Sequence, residues 1–135
     1  MHGFVYGGKP PALGETVVVE AFLDPLCPDS RDTWPTLKEV VDHYGGRVSV
    51  VVHLFPLPSH SYAFIVCQAI HTVNKLNPSY VYPVLEKVFK YQIGSLRAVT
   101  GTPSFYVNGI PIDGSGSPVD YKRWISILDP LVSKM

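Results

Sequence analysis

Two short apolar runs, separated by a stretch with helical spacing, set the pattern of the opening part of the chain. Residues 17–22 and 48–55 are rich in β-branched side chains, which suit buried strands. Between them, apolar residues recur on one stripe of residues 30–44, and Gly45 follows as a helix stop. Two buried strands joined by a helix predict a parallel pair with a right-handed crossover.

The rest of the chain is predicted to be helical on both sides of one hairpin. The helical stretches, taken from the spacing of apolar positions, are residues 60–75, 79–91, 93–99 and 118–132. Residues 101–112 predict a β-hairpin, because Asn108-Gly109 tolerates positive φ at both turn positions. Residues 113–117 are expected to be a loop, and residues 1–16 a surface arm rich in glycine and proline.

A cysteine stands where the first strand is followed by the first helix. Pro28 follows Cys27 and suits the first helical position, because its fixed φ is helical and its missing N–H is not needed there. A thiol at this point faces unpaired backbone N–H groups and the positive end of the helix dipole, which favour the thiolate. Cys27 is therefore the candidate nucleophile, and Pro35 is expected to lie inside the helix without ending it.

Length and charge narrow the function classes. A chain of 135 residues fits an arm, residues 1–16, and one domain, residues 17–135. Lys and Arg number 11 and Asp and Glu number 11, so neither nucleic acid nor a membrane surface is an expected partner. No run is long and apolar enough for a membrane span. The chain starts without a signal-peptide layout, so we expect a secreted protein if a signal was removed and otherwise a cytoplasmic one.

The cysteine count argues against metal binding. Cys27 and Cys67 are too few for a disulfide scaffold, and their spacing suits no zinc site, so no metal is expected. Whether the two thiols pair is left open by the sequence. Cys67 lies on an apolar helical face, where packing in the core is the better interpretation than a redox role.

Two motifs carry a family resemblance. The phrase Asp-Pro-x-Cys-Pro-Asp-Ser-Arg-Asp follows the first strand, and Gly101-Thr102-Pro103 precedes the hairpin. Together they resemble the thioredoxin superfamily, in particular its DsbA-like branch, and with the closing Leu-Asp-Pro-Leu are most similar to poorly characterised secreted plant members. The resemblance spans residues 15–133. It implies an α/β thioredoxin-like fold, with a mixed sheet of about four strands flanked by helices and a short helical insertion at about 60–99.

The resemblance also assigns the site. It implies that Cys27 is the nucleophile and that Thr102 and Pro103 form a cis-proline loop facing it, where a substrate peptide adds as a strand. Pro28, Asp29 and His60 are the further expected substrate contacts. His60 could approach Cys27 and assist proton transfer, although a solvated residue at a helix start is the better interpretation. We expect a monomer that acts on protein or peptide thiols and disulfides, without a cofactor and with glutathione as a possible co-substrate.

One departure from the family motif sets the chemistry. Family enzymes carry Cys-x-x-Cys, whereas this chain has Cys27-Pro28-Asp29-Ser30, so the second, resolving thiol is replaced by a hydroxyl. Ser30 is expected to donate a hydrogen bond to the Cys27 thiolate but cannot resolve a mixed disulfide. The sequence therefore predicts a monothiol thiol–disulfide oxidoreductase-like protein, whose mixed disulfides an outside thiol must release.

A second departure concerns the buried acid that family enzymes place six residues before the cysteine. Ala21 holds that position here, and Glu20 is expected to point to the other face of the strand.

Two rival functions are left open by the sequence. One is a redox-silent module that binds peptides in the same groove, and the other is a glutathione transferase of the kappa type.

Overall fold

The computed structural model describes residues 3–6, 11–12, 14–57, 62–92, 102–112 and 117–134. In this part of the chain the strands are β1 (Phe4–Val5), β2 (Val17–Leu23), β3 (Val48–Leu54), β4 (Ser104–Val107) and β5 (Ile110–Pro111). The α-helices are α1 (Pro28–Tyr44), α2 (Ala63–Leu76), α3 (Val81–Lys90) and α4 (Tyr121–Ser133), and a 3-10 turn at Pro78–Tyr80 joins α2 to α3. The mixed α/β class is confirmed.

The strands form one mixed sheet in the order β1-β3-β2-β4-β5. β2 and β3 are parallel, as the βαβ pattern predicts, while β4 runs antiparallel to β2. At the centre, Ala21 pairs with Val52 on one side and Phe105 on the other. The hairpin turn lies at Asn108-Gly109, and both residues have positive φ, as predicted.

A fifth strand lies in the predicted arm. Phe4 and Val5 pair antiparallel with Val52 and Val51, and Phe4 is buried. The Tyr82 hydroxyl donates to the carbonyl of Phe4, which ties this edge strand to α3. A strand of two residues is too short to show a period in the sequence. Its position is set by partners far along the chain. The sheet thus has five strands where the sequence predicted about four, and the additional strand lies within residues 1–16.

Within the described residues, the helical insertion consists of α2, the 3-10 turn and α3. α2 and α3 occupy most of the expected range of 60–99, whereas residues 93–99 and His60 lie outside the described residues. α4 begins at Tyr121 instead of residue 118, because the Asp120 side chain caps it by accepting from the Arg123 amide at 2.8 Å. Helix α1 continues through Pro35, as expected. No helix in the described ranges is both long and apolar enough to cross a membrane.

The core joins one face of the sheet to all four helices. Its members include strand residues Val19, Ala21, Val50, Val52 and Phe105, and helix residues Trp34, Leu37, Ile70, Leu85, Trp124 and Leu128. Because successive residues of a strand alternate between faces, Glu20 and Phe22 of β2 lie on the opposite face, where both are only half-buried. The fold therefore holds the end of β2 and the start of α1 against a packed core.

Candidate active site around Cys27

The candidate site lies where β2 ends and α1 begins. Cys27 is the N-cap of α1 in an extended conformation, and Pro28 is the first helical residue. The Cys27 carbonyl accepts from the Arg31 amide at 3.0 Å, which closes the first turn of the helix. The thiol therefore stands at the positive end of a helix of 17 residues, as the sequence predicts.

The antiparallel pairing of β4 with β2 brings Thr102 to Cys27. Phe22, near the end of β2, pairs with Ser104, at the start of β4. The peptide bond between Thr102 and Pro103 is cis. The Cys27 thiol donates to the carbonyl oxygen of Thr102, at a distance of 3.7 Å between sulfur and oxygen.

Ser30 makes a different hydrogen bond from the predicted one. Its Oγ accepts from the backbone N–H of Asp24 at 3.2 Å, and the side chain is buried. Within the described residues, no hydrogen bond joins Ser30 to Cys27. The hydroxyl thus supports the turn that leads to Cys27, and its donation to a Cys27 thiolate stays a prediction.

The Asp24 carboxylate organises this turn, which the sequence analysis did not foresee. Asp24 is buried, and its two carboxylate oxygens accept from the amides of Leu26 at 2.8 Å and Leu57 at 2.9 Å. Its backbone carbonyl accepts from the Cys27 amide at 3.0 Å. The signal in the sequence is the Asp-Pro dipeptide, since aspartate favours turns by bonding the amide two residues ahead. Asp24 links the Cys27 turn to the segment after β3.

Gln92, just after α3, is a second residue that the sequence analysis missed. Its side-chain amide donates to the carbonyls of Pro25 at 2.7 Å and Cys27 at 3.2 Å. These partners are 67 and 65 positions away along the chain. No local pattern signals such a contact, because it depends on how the helical insertion packs beside α1.

The two cysteines are both free and both buried. Cys67 lies in α2, and burial raises the pKa of its thiol to about 12, with a smaller contribution from the negative charge of Asp24. At neutral pH Cys67 is therefore a neutral thiol. The expectation that it packs in the interior is confirmed.

The remaining predicted residues fall in different places. Pro28 is buried beside Cys27, and Asp29 is half-buried in the first turn of α1. His60 lies outside the described residues. Glu20 lies on the opposite face from Ala21, as expected, with its carboxylate 3.7 Å from the His53 imidazole. Among the described residues, no group of three or more His, Cys, Asp and Glu side chains is placed to hold a metal ion.

Cys27 itself is 0% exposed, and so are Thr102 and Ser30. A substrate disulfide must approach the sulfur in line with the bond that breaks, so it needs open space on one side of the thiol. The structure therefore shows a closed form of the site. Any reaction at Cys27 requires the turn or the groups packed on it to move.

Comparison with known proteins supports the fold. No family model matches the chain, and no curated protein is similar to it in sequence. The structure is similar to BdbD from Bacillus subtilis in its oxidised form, with a TM-score of 0.72 and 17% identity over 97% of this chain and 93% of that one. A periplasmic thioredoxin-like protein from Salmonella enterica serovar Typhimurium gives a TM-score of 0.73 and 14% identity over 91% of this chain and 88% of that one.

A third similar structure carries an activity in its name. The thiol-disulfide exchange protein alpha-DsbA2 from Wolbachia pipientis matches with a TM-score of 0.66 and 11% identity, over 91% of this chain and 83% of that one. At these identities the likeness concerns the fold. The chain has the thioredoxin-like fold of DsbA-like proteins, as the motifs around Cys27 and Pro103 predict.

Proposed function

We propose that this chain is a monothiol thiol–disulfide exchange protein with Cys27 as its nucleophile. The observation that carries the proposal is the position of the Cys27 sulfur, at the N-terminus of α1 and 3.7 Å from the Thr102 carbonyl. Helix N–H groups stabilise the thiolate once it forms, and the thiolate is the form that attacks a disulfide. The solved structures of similar fold include a thiol-disulfide exchange protein, which agrees with this chemistry.

A mixed disulfide between glutathione and a protein thiol is a substrate that one cysteine can process. The Cys27 thiolate attacks the glutathione sulfur, a Cys27–glutathione bond forms, and the original disulfide bond breaks. The bonding electron pair leaves on the protein sulfur, which takes up a proton. A second glutathione thiolate then attacks the glutathione sulfur bound to Cys27, so that glutathione disulfide departs and Cys27 is restored. No cofactor takes part in either step.

The residues around Cys27 supply the rest of the proposed site. Pro28 follows Cys27 in the chain, and the Thr102 carbonyl contacts the thiol. We assign these two residues, together with Asp29 and Pro103, to contact with a protein or peptide substrate. Ser30 is assigned to donate to the thiolate when it forms, in addition to supporting the turn. His60, which lies outside the described residues, stays a predicted substrate contact.

Incubation with oxidised glutathione tests the proposal. We expect wild-type protein and Cys67→Ser to gain one glutathione under native conditions, and reduced glutathione to remove it. Cys27→Ser should gain none. Whole-protein mass measurement with peptide mapping gives the site of the adduct. Native protein that gains glutathione only at Cys67, or gains none, would contradict the assignment of Cys27 as nucleophile.

The complete burial of Cys27 favours one rival, a redox-silent module that binds peptides at the same place. The variant Cys27→Ala separates the two functions. Loss of glutathione turnover in this variant indicates the exchange protein. Peptide binding that Cys27→Ala retains, together with wild-type protein that shows no turnover, indicates the module.

A further inference from the structure

The side-chain amide of Gln92 spans the turn that carries Cys27. Its Nε2 donates to the Pro25 carbonyl at 2.7 Å and to the Cys27 carbonyl at 3.2 Å. Both acceptors belong to the short segment between Asp24 and helix α1. A single planar NH₂ group with two hydrogens can serve two acceptors at once, so this one side chain fixes the two ends of the turn relative to each other.

Asp24 accepts hydrogen bonds from amides of the turn, and Gln92 donates to its carbonyls. Asp24 accepts from the amide of Leu26 through its carboxylate and from the amide of Cys27 through its own carbonyl. The Gln92 amide donates to the carbonyls of Pro25 and Cys27. Asp24 is part of the same stretch of chain as Cys27, whereas Gln92 comes from the helical insertion. Gln92 therefore links the insertion to the turn that positions the thiol.

The insertion itself is firmly packed against α1. The indole of Trp34 stacks on the Tyr82 ring at 5.2 Å and donates to the Glu86 carboxylate at 3.4 Å. The same carboxylate pairs with Lys38 at 3.3 Å. These contacts hold α3 beside α1, so the backbone of Gln92 has a fixed place from which its side chain reaches the turn.

The oxygen at the other end of the Gln92 amide, Oε1, is buried and has no hydrogen-bond partner within the described residues. A buried polar atom without a partner loses the hydration that it would have in water. Opening returns that oxygen to water, which offsets part of the loss of the two carbonyl contacts. The closed position is thus held by contacts that can be released at moderate cost.

We propose that Gln92 is a positioning residue that holds the Pro25–Cys27 turn closed and thereby limits access to the Cys27 sulfur. Cys27 is 0% exposed in the closed form, and its thiol contacts the Thr102 carbonyl, so a reagent reaches the sulfur only after the turn shifts. Gln92 contacts the Cys27 carbonyl and not the sulfur. It therefore sets how often the thiol becomes accessible, by holding the turn in place.

The consequence for exchange chemistry rests on the proposed function, but access itself is measured without it. We would compare Gln92→Glu and Gln92→Met, which keep the length of the side chain and remove its N–H donors. The variant Gln68→Glu is the matched control, because Gln68 is exposed on α2. Iodoacetamide labelling of native protein would be followed at each cysteine by mass spectrometry across a pH series.

We expect both Gln92 variants to raise the upper plateau of the Cys27 labelling rate at least tenfold, because both remove the N–H donors that hold the turn. Cys67 serves as an internal reference, because it becomes accessible by a different route. A rise at Cys27 with no rise at Cys67 supports local opening. Rates within twofold of the Gln68→Glu control, a shifted midpoint without a higher plateau, or a parallel rise at both cysteines would overturn the proposal.

The same samples separate this proposal from the proposed function. Faster iodoacetamide labelling of Cys27 in the Gln92 variants, without any adduct from oxidised glutathione, supports the positioning role and contradicts the exchange activity. Ready formation of the glutathione adduct in wild-type protein, with labelling rates that Gln92 does not change, supports the exchange activity and overturns the positioning role.

Discussion

The two cysteines of this chain are buried to nearly the same extent, but the groups around each sulfur differ. Cys67 is 5% exposed and Cys27 is 0% exposed, so by burial they are nearly the same. Cys67 lies inside a helix, where burial and the nearby charge of Asp24 raise its pKa to about 12. Cys27 lies at a helix N-terminus, against a carbonyl and in a turn held by polar side chains. The difference lies in the groups around each sulfur.

The largest expected effect comes from giving Cys27 a second thiol. In Ser30→Cys, the new thiol stands one helical turn from Cys27 and can attack its mixed disulfide from within the molecule. Such intramolecular steps gain from a high effective concentration, so release of bound glutathione without added thiol should accelerate by at least about 100-fold. Mass measurement over time follows the release. A cysteine at the exposed Ser126 of α4 is the control, and equal release from both variants would contradict the predicted geometry.

The next effect concerns Asp24, which faces both the Cys27 turn and Cys67. In Asp24→Asn, one of the two backbone amides that donate to the carboxylate loses its acceptor. We therefore expect a loss of about 2–4 kcal/mol in the free energy of unfolding. The pKa of Cys67 should fall, because one of the two causes that raise it is removed. Denaturant unfolding and the pH profile of Cys67 labelling measure these changes. Asp32→Asn, on the exposed side of α1, should change stability by less than about 0.5 kcal/mol.

Cys67 makes the stability of the fold depend on pH. Its pKa rises from an ordinary value of 9.0 to about 12 on folding, so the unfolded thiol ionises first as the pH rises. The folded form then binds more protons than the unfolded form, and stability falls with rising pH between about pH 9 and pH 12. Burial also raises the pKa values of Tyr44 and Tyr82, which act in the same direction at higher pH.

The variant Cys67→Ala removes the contribution of the thiol. Between about pH 8 and pH 10, we expect wild-type protein to lose roughly 1 kcal/mol more stability than this variant. Unfolding curves in denaturant at a series of pH values measure the difference. Equal slopes for both proteins would show that Cys67 ionises as readily in the folded form as in the unfolded form.

The smallest expected effect comes from the opposite face of the sheet. Glu20 pairs with His53 there and does not share a face with Ala21, which holds the position of the usual buried acid. Glu20→Gln should therefore leave the rate of glutathione adduct formation at Cys27 within twofold of wild type. A larger loss would mean that Glu20 serves as the proton carrier in spite of its orientation.

The parts of the fold that local patterns encode were predictable. The parallel pair of strands, the start of α1 at Cys27-Pro28 and the turn at Asn108-Gly109 each follow from a few neighbouring residues. The edge strand at Phe4 does not, because its partners come from β3 and α3.

In the candidate site, too, only the features that local motifs encode were predictable. The sequence indicated Cys27 and the loop at Thr102, since both are short motifs beside strand ends. It could not indicate that Gln92 bonds the turn, or that Ser30 accepts from Asp24. Those contacts depend on side-chain positions after packing. The full burial of Cys27 was also not predictable, because the number of apolar residues along the chain does not determine how deep one side chain lies.

The reaction route of Cys27 is tested most directly by labelling both cysteines with oxidised glutathione across low denaturant concentrations. A residue that reacts through local opening has a rate that hardly depends on denaturant, whereas one that reacts through global unfolding follows the denaturant dependence of unfolding. We predict a nearly flat rate for Cys27 and a steep rise for Cys67. Equal, steep slopes at the two cysteines would show that Cys27 reacts only in the unfolded chain, and would contradict a functional thiol at this site.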